Sequence, residues 1–257
     1  MAEPITVLVV QTGPRLGRLQ LDEELRAIKE ALHATPYGQA VTVESCPAAR
    51  PEDLVNALLR YEPSVLHLSG RGDRDGFLFR AEDGAEIPTN PDGLATLLKR
   101  VAPQCRLVLI NACWSKDLAA TLAPVVGCCI GVERTIDDSA AIAFGATFYR
   151  AIGQGHPVVR SFDIACAALE FYDNADHRSL HLFRSAPDSA DPIFLIPPVL
   201  MPPPPRDPVK PSPLPPVLRT GKRVHIIVDL PANGSLDRLN DQISEHGYIH
   251  QFIVENR

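Results

Sequence analysis

At 257 residues, with 25 prolines and a net charge of −6, the chain has length for one large core and an appendage. Its acidic balance argues against a nucleic-acid surface, and no apolar run reaches the roughly 20 residues that span a bilayer, so no nucleic-acid or membrane partner is expected. Met1-Ala2-Glu3-Pro4 lacks the basic and apolar regions of a signal peptide, which makes a cytoplasmic location the expectation.

Residues 5–10 read as a compact apolar strand. Leu21, Leu25, Ile28 and Leu32 recur at helical spacing and predict an amphipathic helix over residues 22–32. Val41-Thr42-Val43 starts a second strand. Pro51, followed by Glu52 and Asp53 at the positive end of a helix dipole, opens a helix to Tyr61 with Leu54, Leu58 and Tyr61 inward. A strand over residues 64–69 runs into a charged, glycine-rich loop at 70–76. Phe77-Leu78-Phe79 and the turn Glu82-Asp83-Gly84 then predict a small hairpin.

Asn90 and Pro91 open a helix carrying Leu94, Leu97, Leu98 and Val101. The run Arg106-Leu107-Val108-Leu109-Ile110 reads as a buried parallel strand, closed by a turn at Asn111-Ala112-Cys113-Trp114. Ser115 is the expected N-cap of a helix over 116–123, and residues 125–132 are expected as a strand. Asp137-Asp138-Ser139 caps a nearly apolar, hence buried, helix over 140–152. Pro157 starts another, with Val158, Phe162, Ala165, Leu169 and Tyr172 on one stripe, and residues 192–196 read as a last strand. This alternation predicts an α/β domain over residues 1–196, a mainly parallel sheet with helices on both faces.

Residues 197–220 read as a proline-rich linker, because eleven of the twenty positions from 197 to 216 are proline. Residues 221–257 read as a small β-α-β module, with strands at 224–228 and 248–254 around a helix at 235–246. It is too short to bury a core comfortably alone, so self-association, packing on the main domain or docking to a partner is expected.

Six cysteines stand in apolar surroundings, with no Cys-x-x-Cys pair and no zinc-type histidine spacing, so neither a metal nor another cofactor is expected. Cys128 and Cys129 sit within an apolar run and read as structural thiols. Cys113 differs, because it falls just beyond the carboxyl end of a strand, where open α/β sheets place their chemistry. It also precedes a helix N-terminus, whose dipole favours a thiolate. Two readings stand: a nucleophile, or a small side chain in a strand-end turn. A nucleophile needs a base and oxyanion donors, and backbone N–H groups near Gly70 and Gly72 are candidates for the latter.

A strand ending His67-Leu68-Ser69-Gly70-Arg71-Gly72, followed later by one ending Asn111-Ala112-Cys113-Trp114-Ser115, resembles the CHAT family of caspase-like cysteine peptidases. Leu19-Gln20-Leu21-Asp22-Glu23-Glu24, Arg50-Pro51-Glu52-Asp53-Leu54 and Ile136-Asp137-Asp138-Ser139-Ala140-Ala141-Ile142-Ala143-Phe144 resemble its first, second and late buried helices. The resemblance implies Cys113 as nucleophile and assigns the base to the second histidine of a His-x-Ser-Gly-His-Gly pattern, a position held here by Arg71. His67 matches only the strand-borne first histidine and is expected as a buried, satisfied side chain. It lies four residues before Arg71, about 13 Å along an extended strand. Arginine has no acceptor at neutral pH and cannot take the thiol proton.

The resemblance therefore implies a weakened or inactive peptidase, a pseudoenzyme serving as effector or scaffold in a bacterial signalling or defence assembly, with a protein or peptide as partner. Two alternatives stand beside it: an active cysteine endopeptidase using another base, and a pure interaction module working through residues 221–257. Asn111, two before the cysteine, is expected to line the substrate side-chain pocket. Glu133 and Asp138 are acids that would favour a basic substrate residue there, or, for Asp138, a helix cap only. Deleting the chain after Leu200 is expected to change oligomer mass or partner capture; unchanged light scattering and unchanged pull-downs would contradict the recruiting role.

Overall fold

Branched apolar runs dictate the centre of the molecule. A computed structural model describes residues 5–13, 21–73, 76–172, 175–185 and 195–196. The chain divides into two units, Met1–Pro204 and Pro205–Arg257, and every described residue belongs to the first. The expected linker and the 221–257 module lie outside the described residues.

Among the described residues six strands form the main sheet: β1 (Ile5–Gln11), β2 (Val41–Cys46), β3 (Val65–Ser69), β7 (Leu107–Asn111), β8 (Cys128–Val132) and β9 (Leu180–Arg184). Their order is β2-β1-β3-β7-β8-β9, with all pairs parallel except the antiparallel β8–β9 edge. A second, antiparallel sheet joins β4 (Gly72–Asp73), β5 (Gly76–Arg80) and β6 (Glu86–Pro88). β3, β7 and β8 are buried along their whole length, as strands covered on both faces must be.

Period-two alternation divides the core. Leu8, Leu66, Leu68, Val108, Ile110 and Cys129 face α2 (Pro51–Tyr61), α3 (Pro91–Val101) and α4 (Lys116–Val126). Val7, Val9, Val65, Leu107, Leu109 and Ile130 face α1 (Leu21–His33), α5 (Asp138–Gly153) and α6 (Val158–Phe171). The result is the expected α/β domain, a mostly parallel sheet with helices on both faces.

Four local expectations are corrected. Val125 and Val126 belong to α4, not to the following strand; Pro124 removes one helix hydrogen bond without ending the helix, which stops at Gly127 with φ of 96°. Ser115 and Asp137 take the N-cap positions of α4 and α5, but neither caps its helix with its side chain. Tyr172 is 76% exposed rather than on the buried stripe of α6. Among the described residues the last strand of the sheet is β9, whose face is only half buried; residues 192–194 lie outside them, and Leu195 and Ile196 are buried in a bend, where Arg106 Nη2 donates to the Leu195 carbonyl at 3.1 Å.

Gly131 in β8 lets α4 approach closely, since a Cβ there would lie 2.7 Å from both Ala119 Cβ and the Ser115 carbonyl oxygen. Gly131→Ala is expected to cost about 1–3 kcal/mol through overpacking, read as a lower urea midpoint. An unchanged midpoint would show that α4 does not sit this close.

Candidate active site at the strand tips

The carboxyl ends of β1, β3 and β7 lie side by side and are packed backbone to backbone. Thr12 N–H donates to the Ser69 carbonyl at 2.8 Å, and Gly70 N–H donates to the Asn111 carbonyl at 3.4 Å. A Cβ on Gly70 would lie 2.5 Å from the Thr12 carbonyl oxygen, and one on Gly72 would lie 2.0 Å from the Cys113 carbonyl oxygen. Glycine is therefore required at both places. Gly70, Arg71 and Gly72 form one tip, Ala112, Cys113 and Trp114 the other, and the fold presses them together. The Gly70 N–H, a candidate oxyanion donor from sequence, is used in joining them.

Cys113 sits in a turn fixed from several sides. Ser115 is fully buried; its hydroxyl donates to the Ala112 carbonyl at 2.8 Å and accepts from Val132 N–H at 2.9 Å. Trp114 adopts φ of 58°, a conformation costly for a bulky side chain, and its N–H donates to the Arg134 carbonyl at 3.0 Å. The Cys113 side chain is half-buried, unlike Cys105, Cys128 and Cys129 in the core. Burial pushes the Cys105 and Cys128 thiols up to about 11, so neither supplies a thiolate near neutrality.

Beneath the tips lies a polar cluster that sequence reasoning missed. Glu24 on α1 is 3% exposed, yet its carboxylate accepts from His67 Nε2 at 3.1 Å, from the Ser69 hydroxyl and from the Asn111 side-chain amide. His67, Ser69 and Asn111 share one face of the sheet because Ser69 is two residues beyond His67 and directly opposite Asn111. A carboxylate only accepts, so Nε2 carries the proton; Nδ1 lies 3.1 Å from the Tyr149 hydroxyl on α5. Burial, then the nearby Glu24 carboxylate, pushes Tyr149 upward, so its hydroxyl stays protonated beside Nδ1. Both ring nitrogens of His67 are occupied and the ring is fully buried. His67 is spent inside the core.

Burial pushes the Glu24 carboxyl up, but the attraction of His67 and the hydrogen bonds from His67, Ser69 and Asn111 outweigh it. The net effect holds Glu24 below its ordinary value. One signal for this residue was in the sequence: Glu24 falls on the same helical stripe as Leu21 and Ile28.

The remaining candidates divide. Asn111 is 7% exposed with its amide turned to Glu24. Arg71 is exposed, its Nη1 lying 3.2 Å from Glu86 Oε1 on β6. Glu133, just past β8, takes a hydrogen bond from Lys116 Nζ at 2.7 Å and faces His181 Nε2 at 3.4 Å. Hydrogen bonds from Lys116 and His181, with the Lys116 charge, hold its carboxyl below the ordinary range. Asp138 is the half-buried first residue of α5, on the opposite face of the sheet from α4. Among the described residues no cluster of histidine, cysteine or carboxylate side chains suits a metal ion, and no helix is long and apolar enough to cross a membrane.

No family model matches the chain. A probable protease from Gillisia limnaea is 25% identical over 183 residues, 67% of this chain and 32% of that protein, so the chain spans less than a third of the length of the curated relative it matches. A secreted C11 cysteine protease from Bacteroides thetaiotaomicron, solved with an irreversible peptide inhibitor, superposes with a TM-score of 0.51 at 13% identity, over 72% of this chain and 67% of that one. Caspase-1 from Spodoptera frugiperda gives a TM-score of 0.49 at 10% identity, over 75% of this chain and 89% of that one. At such identities the likeness is one of fold. The likeness to the C11 protease shows that the domain shares that protein's fold.

Glu24→Gln replaces an acceptor-only group facing three donors by one that also donates, and is expected to destabilise the domain by about 3–5 kcal/mol at neutral pH. Because the folded carboxyl is held low, the unfolded chain takes up its proton first on acidification. The Glu24 contribution is complete above the ordinary carboxylate range, about pH 4.3, and is lost as pH falls through the lower folded value. Urea midpoints of the wild type should therefore fall towards those of the variant on acidification. A constant difference between them down to low pH would contradict the buried ionised carboxylate.

Proposed function

We propose that this domain is a caspase-like cysteine peptidase of the CHAT type in which Arg71 stands at the place of the general base. Hydrolysis of peptide bonds is then weakened or absent, and the domain works as an effector or scaffold on a protein partner, in a bacterial signalling or defence assembly. The observation that carries the reading is the junction of the two tips: Gly72, directly after Arg71, abuts the carbonyl of Cys113, while the histidine of the same strand is locked in the core.

Peptide hydrolysis by a thiol needs three proton events in order. A base takes the thiol proton, the thiolate attacks the carbonyl carbon, and the departing amine receives a proton. Arg71 favours an anion nearby but keeps its own protons at any working pH, so it serves neither the first event nor the third. Loss of the base from a triad-type site costs several orders of magnitude in rate.

Restoring a titratable ring tests this. Arg71→His, assayed on a mixed peptide library, is expected to cleave faster than the wild type by on the order of a hundredfold or more, with the gain abolished by Cys113→Ala. Cys113-dependent cleavage by the unaltered protein would overturn the reading in favour of an active endopeptidase. A folded Arg71→His variant that stays inert would show that the missing base is not what limits the site.

A further inference from the structure

Two guanidinium groups converge on one carboxylate beside the Cys113 turn. Arg71 Nη1 lies 3.2 Å and Arg80 Nη2 4.0 Å from the same oxygen, Glu86 Oε1. With Thr12 and Leu78 these three side chains line a small pocket at the end of β1. The backbone builds it deliberately: Leu78 N–H donates to the Arg71 carbonyl at 3.0 Å, and the Thr12 hydroxyl donates to the Leu78 carbonyl at 2.8 Å. Arg71 comes from the tip of β3, Arg80 from β5 and Glu86 from β6, so three segments meet at one point.

Arginine pairs match carboxylates in geometry as well as charge. The Glu86 carboxylate shows which chemistry the pair accepts. The side chains of Arg71, Arg80 and Glu86 are 58%, 38% and 40% exposed, so their ion pairs are weak and a competing carboxylate displaces Glu86 at a cost of about fivefold in affinity or less. We propose that Arg71 and Arg80 form a recognition site for an acidic side chain of a partner polypeptide, and that Glu86 occupies this site in the free protein as an internal stand-in. The inference rests on the reading that the strand tips face a polypeptide. It reverses the preference for a basic residue expected from Glu133 and Asp138. Glu133 is already neutralised by Lys116. It also gives Arg71 a task that an arginine performs well, in place of proton transfer.

Binding can be followed without cleavage in the full chain carrying Cys113→Ala. The probe is a fluorescein-labelled Gly-Ser peptide with one central glutamate, set against the same peptide with glutamine, by anisotropy at low salt. The glutamate peptide is expected to bind more tightly, with the margin shrinking as salt rises. Glu86→Gln, or Glu86→Ala if the first variant does not fold, should strengthen the glutamate peptide alone by about two- to fivefold. Arg71→Ala and Arg80→Ala should each reduce the margin.

Equal binding of the two peptides before and after removal of Glu86 overturns the proposal. So does a margin untouched by both arginine substitutions. Displacement by free acetate at the concentrations where the peptide acts would assign the site to small anions and overturn the polypeptide assignment. The two readings fail separately: cleavage by the unaltered protein sinks the missing base and leaves the anion site standing, whereas loss of the glutamate margin sinks the anion site alone.

Discussion

A buried carboxylate ties the strand tips of this domain together. Glu24 is carried by α1, yet it accepts hydrogen bonds from the last residues of two neighbouring strands and from a histidine between helix and sheet. An uncompensated charge at that depth would be prohibitive, and the three donors make it tolerable. The consequence reaches the surface. Ser69 and Asn111 are the residues after which β3 and β7 turn, so the group that satisfies them also fixes where Arg71 and Cys113 emerge.

Above this clasp the backbone takes over. Gly70 and Gly72 permit contacts with Thr12 and Cys113 that any side chain would forbid, and Ser115 closes the cysteine turn from below. The result is a closely packed pair of tips carrying a half-buried thiol and a guanidinium. Close packing at a strand tip suits catalysis and recognition alike, and the proposed function rests on the chemistry of arginine. A group that never releases its proton contributes charge and directed donors, not proton transfer. The proposed peptidase ancestry and the proposed anion site are two consequences of one residue.

Most of the architecture was legible in the sequence, because long apolar runs and amphipathic stripes are set by local periodicity. The helices beginning at Pro51 and Pro91 fall where expected for that reason. β9 escaped notice because an edge strand with one half-exposed face has no strong alternation, and Val125 and Val126 were misassigned because Pro124 breaks a pattern without breaking the helix. Cys113 stood out by its place at a strand end, and Arg71 through the resemblance to the CHAT motif. Glu24 and Tyr149 did not: their role exists only through partners far apart in the chain, and periodicity marks a stripe position without saying that a charge there will be satisfied. Glu86 faces Arg80 across the expected hairpin, but its approach to Arg71 joins segments that no local pattern links.

The proposed function places beside the Cys113 thiol an arginine in the position of a proton-accepting group. The rate of Cys113 alkylation by iodoacetamide across pH, with Cys113→Ala as the blank, tests this most directly. A lone thiol predicts a rate that follows one ionisation, with no reactive plateau on the acid side. A second inflection in the histidine range, with appreciable reactivity below it, would reveal a thiolate–imidazolium pair and contradict the account.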